Sequence, residues 1–370
     1  MEHGGDIYTE GILKGKTLLD FSSNINQLKL PQGFKECINK ALDNVYVYPD
    51  IQYRSLRKNI LDYLNFSINY FYKTKGNSLK NISEENIVLG NGAAEIIDEV
   101  IACFKSICIA VPSFIEYEKN ALKHSLKITY SYLDENMNLN YDDIKEKLKY
   151  VEALFVANPN NPNGQIIDKS NFKAILDYCE KNNKTVIIDE AFIEFTGRNS
   201  FSFLNELDNY KCIFIIKALT KFYCIPGIRL GYGVSGNTSI ISKIKENQNP
   251  WNINCFAEAA AEYLLKDKDF INRSLEEVEK ERKYLLNELE NIDFIEKVYK
   301  TYSNFVLCKT KYECDYLYDV LLEKGVIIRK ADNFKGLNKY YVRVAIKDRE
   351  KNKAFINCLK ELDKSLKERI

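Results

Sequence analysis

Lys221 ends the segment Cys212-Ile213-Phe214-Ile215-Ile216-Lys217-Ala218-Leu219-Thr220-Lys221, which opens as an unbroken apolar run. Most lysines lie on the surface. One carried past the end of an apolar strand, close to another cation, is partly desolvated, gives up its proton more readily, and can then attack a carbonyl carbon. The second cation is Arg229, within Pro226-Gly227-Ile228-Arg229-Leu230-Gly231-Tyr232, and its fork of donors suits a phosphate. A different apolar run, Val186-Ile187-Ile188, stops at Asp189-Glu190-Ala191-Phe192. An aspartate buried there without a partner would cost several kcal/mol, so Asp189 asks for a cation. A protonated aromatic nitrogen would serve, as would a helix cap or a nearby lysine.

Two further segments could hold the rest of such a ligand. In Val88-Leu89-Gly90-Asn91-Gly92-Ala93-Ala94-Glu95 small residues lead from a strand into a helix, where bare backbone N–H groups and the helix terminus favour a phosphate. A tight turn alone would use the same glycines. The segment begins like a dinucleotide fingerprint, but Glu95 replaces the third glycine, and Val111-Pro112-Ser113 ends the next strand without an acid for a ribose. In Ala157-Asn158-Pro159-Asn160-Asn161-Pro162-Asn163-Gly164 the prolines make a rigid turn. Asparagine amides held there could donate to an aromatic oxygen.

These segments share one structural position. Short apolar runs over 87–89, 107–111, 127–133, 153–157, 185–188 and 212–216 alternate with helical stretches over 94–104, 141–149 and 171–181. That alternation predicts parallel strands joined by crossover helices, in an α/β sheet covered on both faces. In such sheets ligands bind beyond the carboxyl ends of the strands, where all four segments fall. After Trp251 a charged helical stretch over 274–289 precedes strands over 305–308, 326–329 and 341–346, which predicts a smaller α+β domain reached through a long helix.

Composition narrows the classes. With 53 basic and 52 acidic residues among 370, no strong field draws nucleic acid or an anionic membrane. Two histidines, His3 and His124, disfavour a histidine zinc site or a Ser-His-Asp triad, and no metal is expected. Ten cysteines without a Cys-x-x-Cys pair read as reduced thiols. The opening Met1-Glu2-His3-Gly4-Gly5 has neither a basic leader nor an apolar stretch, and no run approaches a membrane span, so a cytoplasmic protein is expected.

Taken in order, the four segments resemble the fold-type I pyridoxal-phosphate enzymes, and the histidinol-phosphate aminotransferase group in particular, over almost the whole chain. Within that group, six motifs look like the threonine-phosphate decarboxylases of cobalamin biosynthesis. They are His3-Gly4-Gly5, Leu19-Asp20-Phe21-Ser22-Ser23-Asn24-Ile25-Asn26, Tyr48-Pro49-Asp50, Asp189-Glu190-Ala191-Phe192, Leu219-Thr220-Lys221-Phe222-Tyr223 and Tyr341-Val342-Arg343-Val344-Ala345-Ile346.

The resemblance implies a large domain with a mostly parallel seven-stranded sheet plus a smaller α+β domain, divided as an arm over 1–30, a cofactor-binding domain over 31–250 and a small domain over 251–370. It implies pyridoxal 5'-phosphate bound covalently by Lys221, with Asp189 at the ring nitrogen and Asn161 at the ring oxygen. Thr220, Arg229 and the backbone of Gly92, Ala93 and Ala94 would hold the phosphate, and Tyr48 would reach it from a neighbouring subunit, hence a homodimer. His3, Gly4, Asn24, Asn161, Arg329 and Arg343 would surround a phospho-amino acid, two arginines suiting its two anionic groups. Which arginine takes which anion stays open. The implied reaction is decarboxylation of O-phospho-L-threonine to (R)-1-aminopropan-2-yl phosphate. The alternatives are a histidinol-phosphate or related class II aminotransferase, and a non-catalytic binding protein on the same fold. Two departures stand out: Ala218 replaces a serine common among relatives, and Phe192 stands where aminotransferases carry a tyrosine and the decarboxylases a phenylalanine.

Overall fold

A computed structural model describes residues 4–28, 30–71, 78–197 and 201–368. Strands are numbered along the chain: β1 Leu19–Asp20, β2 Ile87–Gly90, β3 Ser106–Val111, β4 Lys127–Tyr132, β5 Ala153–Ala157, β6 Thr185–Asp189, β7 Ile213–Ala218 and β8 Gly231–Ser235. The remainder are β9 Ile295–Val298, β10 Phe305–Thr310, β11 Val326–Ile327, β12 Arg329–Lys330 and β13 Tyr341–Ala345. Seven of them form one sheet in the order β2-β8-β7-β6-β5-β3-β4. All run parallel except β8, which is antiparallel to both β2 and β7.

Strands β5, β6 and β7 are buried along their whole length, as expected where helices cover both faces and side chains need not alternate in polarity. Their register sets Ala157 beside Asp189 and Asp189 beside Ile216, so the ends of the three strands lie together. Gly90 and Ala218 both pair with Gly231, which brings the end of β2 to the same edge. A Cβ on Gly231 would fall 2.4 Å from the nitrogen of Ala93, so only glycine lets the helix Ala93–Ile101 start against this edge. Sequence reading missed β8 because two glycines in five residues hide the strand pattern.

A second sheet, β12-β13-β10-β9, is antiparallel. Its core joins Val306, Val342 and Val344 to Leu285, Leu289, Leu317, Phe355 and Leu359 of the surrounding helices. The 22-residue helix Lys268–Leu289, about 33 Å long at 1.5 Å per residue, starts with Phe270 and Ile271 in the core of the larger sheet and ends with Leu285 and Leu289 in that of the smaller. The N-terminal segment joins this second unit through parallel pairing of β1 with β11 and through the Ala345 N–H, which donates to the Phe21 carbonyl. Among the described residues no helix is long and apolar enough to cross a membrane.

Candidate active site

A cavity of about 240 Å³ opens at the shared strand edge. Its lining includes Gly4, Asn24, Ala93, Ala94, Asn161, Asp189, Thr220, Lys221, Arg229, Arg329 and Arg343. Segments far apart in sequence therefore meet at one place. Gly92 adjoins the lining through Arg229. Tyr48 does not line the cavity; it is exposed, with its ring centroid 4.7 Å from that of Trp251. His3 lies outside the described residues.

Lys221 sits in the single helical turn Leu219–Phe222 that follows β7. Burial first, and then the neighbouring Arg343 and Arg229, push its ammonium down to about 8, against the opposing pull of Asp189. A substantial neutral fraction near physiological pH is what a nucleophilic amine needs.

Asp189 ends β6 fully buried, and burial raises its carboxyl above the usual range. The Tyr117 hydroxyl donates to Oδ2 at 2.6 Å and the Ala191 N–H to Oδ1 at 2.8 Å. No cation lies within salt-bridge distance of Asp189 among the described residues. Its neighbour Glu190 points to the other face of the sheet and takes Lys217 at 3.1 Å. The lysine pair that could have explained an acidic strand end is thus used by Glu190, leaving Asp189 to the cavity.

The Asn-Pro loop is rigid for identifiable reasons. Asn158 donates to the Phe201 carbonyl and accepts from the Ile167 N–H, Asn160 donates to the Pro112 carbonyl, and Asn163 donates to the Met137 carbonyl. Three asparagines fix the turn, and Asn161 faces the cavity. Its Oδ1 accepts from Arg343 at 2.5 Å, which leaves the Nδ2 hydrogens to donate elsewhere.

At the far end, Gly92 caps Ala93–Ile101 at φ 82°, ψ 163°, a conformation essentially restricted to glycine. A Cβ there would lie 2.4 Å from an Arg229 guanidinium nitrogen. Gly92 offers no side-chain cap, so the first N–H groups of the helix stay available beside Arg229 and the buried Thr220.

The opposite wall comes from the second sheet and the N-terminal arm. Arg329 and Arg343 pair across β12 and β13, and both are buried. Burial and Arg329 push the Arg343 guanidinium down to about 9. Arg343 donates to the Ser22 carbonyl at 2.8 Å and lies over the Phe305 ring, while Arg329 donates to Asn333 at 2.7 Å and lies over Phe334. Gly4 fits only as glycine, since a Cβ would meet the Ser22 carbonyl oxygen at 2.1 Å. Buried Asn24 has an Oδ1 with no hydrogen-bond partner among the described residues. Phe192 lines the wall without a hydroxyl, packed edge-on to Phe305.

Sequence reading missed Phe114 and Tyr117, which line the same cavity. They follow the end of β3, and the strand-end rule that found the other segments would have found them had that end been inspected for more than an acid.

These features fit pyridoxal 5'-phosphate: a poised amine, a buried carboxylate in want of a cation, a free amide donor and a glycine-backed phosphate cradle occur together. Comparison with known proteins agrees. The family model "Aminotransferase class I and II" matches residues 16–359. A Caldanaerobacter subterraneus protein named "Putative threonine-phosphate decarboxylase" is 38% identical over 98% of this chain and 94% of its own length. The threonine-phosphate decarboxylase of Salmonella typhimurium is 30% identical over 97% of this chain and 96% of its own. Among solved structures, the histidinol-phosphate aminotransferase from Clostridium acetobutylicum superposes with a TM-score of 0.87 at 48% identity, covering 93% of this chain and 99% of that one. By its sequence, its fold and the groups gathered at its strand ends, the chain belongs to the class I and II aminotransferase family.

Proposed function

We propose that this protein decarboxylates O-phospho-L-threonine with pyridoxal phosphate, releasing carbon dioxide and (R)-1-aminopropan-2-yl phosphate for cobalamin biosynthesis. The observation that carries the reading is the placement of two buried arginines, Arg329 and Arg343, on the cavity that holds Lys221. Their charges oppose each other, and a substrate with both a carboxylate and a phosphate relieves that repulsion.

Lys221 would bind the cofactor covalently, Asp189 hold its ring nitrogen protonated, and Asn161 donate to its ring oxygen. The N–H groups of Gly92, Ala93 and Ala94, with Thr220 and Arg229, would hold its phosphate. A second copy of the chain would add its Tyr48 there, making a homodimer the working unit. Residues 1–30, 31–250 and 251–370 would act as arm, cofactor-binding domain and small domain. When bound, the cofactor supplies an electron sink for the pair left at the α-carbon as a bond there breaks.

The chain's own groups choose the bond. Arg329 and Arg343, with Gly4, Asn24 and His3, orient the substrate by its anions. The carboxylate leaves as carbon dioxide and a proton takes its place; Lys221, titrating near 8, can hold and deliver that proton. Phe192 offers the ring oxygen no hydroxyl, which favours this reading over transamination. The 48% identity to a histidinol-phosphate aminotransferase supports the second reading, in which Lys221 would instead remove the α-proton.

The test is the product of the purified protein incubated with pyridoxal phosphate and O-phospho-L-threonine. Carbon dioxide together with aminopropanol phosphate supports the decarboxylase. Glutamate formed from 2-oxoglutarate and histidinol phosphate, with no carbon dioxide in the first assay, makes it an aminotransferase. Failure to take up the cofactor at all leaves a binding protein on this fold. O-Phospho-L-serine, lacking one methyl group, should be discriminated by only about 10–200-fold.

A further inference from the structure

The arm that brings Gly4 and Asn24 to the cavity also carries Asn26, which is buried and does not line it. Every polar atom of Asn26 is engaged, within its own segment and on two others. Its N–H donates to the Lys221 carbonyl at 3.1 Å. Its Nδ2 donates to the Phe222 carbonyl at 2.8 Å and to Ser274 Oγ, on the helix Lys268–Leu289, at 2.8 Å. Its Oδ1 accepts from the Leu28 N–H, and its carbonyl accepts from the Cys224 thiol.

The segment so gripped has few backbone bonds of its own, the Cys224 N–H to the Lys221 carbonyl at 3.4 Å among them, although Phe222 and Tyr223 anchor it in the core. Four residues make one helical turn, which has little stability of its own. Cys224 and Arg229 follow at φ 59° and 61°, conformations that side chains adopt only under constraint. From the far side the Leu219 N–H donates to the Leu230 carbonyl, but the carbonyls of Lys221 and Phe222 face the arm.

We propose that Asn26 is a positioning residue for Lys221: it clamps the carbonyls of residues 221 and 222 to the arm and to the long helix, and so sets where the amine stands against groups that the same arm carries to the substrate. This rests on reading Lys221 as the cofactor lysine. Misplacement of a reacting group by about 1 Å can cost on the order of 100-fold in rate.

The experiment compares the full-length, cofactor-loaded wild type with Asn26→Ala and with Ser274→Ala, which spares Asn26 and removes one of its anchors. Turnover is measured with whichever of the two candidate substrates the wild type accepts, and the cofactor absorbance is titrated with pH. Expected for Asn26→Ala is a kcat about 10–100-fold lower, a substrate KM within about threefold, retained cofactor, and a displaced absorbance midpoint. Ser274→Ala should move kcat and midpoint the same way by less. Wild-type kcat and midpoint in Asn26→Ala would overturn the proposal. If that variant does not fold, a wild-type midpoint in Ser274→Ala overturns it instead. A wild type that neither takes up the cofactor nor turns over either substrate defeats the underlying reading, and this one with it.

Discussion

At the scale of single residues, the site works by withholding partners. Glu190 takes Lys217, so Asp189 is left facing the cavity without a lysine partner; Asn161 gives its oxygen to Arg343, so its amide hydrogens remain. Lys221 has its amine pushed down to about 8, mainly by burial. Because the neutral amine is the nucleophile, capture of pyridoxal phosphate by the cofactor-free protein should accelerate as pH rises and level off above a midpoint near 8, followed by stopped-flow absorbance. A rate independent of pH between about 6.5 and 9 would show that the amine is neutral throughout or that another step controls capture. Arg343→Ala should raise the KM for phospho-substrate at least about tenfold, in keeping with loss of a charge-assisted bond worth about 1.5–3 kcal/mol, while the protein stays coloured. Loss of colour would instead assign Arg343 to the cofactor through Asn161.

At the scale of elements, backbone geometry shapes the proposed phosphate cradle. The helix Ala93–Ile101 can begin against the sheet edge because Gly92 and Gly231 lack side chains. Gly92→Ala would force a Cβ into the Arg229 guanidinium and hold alanine at a glycine-only φ and ψ, a strain of about 1–3 kcal/mol. Cofactor affinity, measured by equilibrium dialysis, should fall at least about tenfold, with a lowered melting temperature in the cofactor-free form. An unchanged affinity would place the phosphate elsewhere. Strands β5, β6 and β7 were legible because their apolar runs are continuous, whereas β8 was not, because Gly231 and Gly233 answer to tertiary contacts with Ala93 and Phe214.

At the scale of the whole molecule, one wall of the cavity belongs to the large sheet, the other to the small sheet and the arm, and Tyr48 to neither. Tyr48 lies exposed beside Val45, Tyr46, Val47, Ile51 and Trp251, an apolar strip of the kind that pairs with another surface. If a second copy supplies Tyr48, a dimer mixing Lys221→Ala chains with Tyr48→Phe chains should contain one site free of both substitutions. Activity should then recover to about a quarter of wild type in a statistical mixture, and an additive mixture without recovery would put each site within one chain. The sequence by itself determined the fold class and pointed to Lys221, Asp189 and the Gly92 turn, each of which closes a local pattern whose chemistry is readable from its neighbours, while the choice of Asn161 among the asparagines of its turn came from resemblance. It singled out Arg329, Arg343 and Gly4 through resemblance alone. Only the tertiary structure put these opposite Lys221, joined Tyr117 to Asp189 and fastened Asn26 to the lysine's backbone. Those contacts join residues far apart in the chain, and no periodicity or local spacing encodes which strand ends will meet.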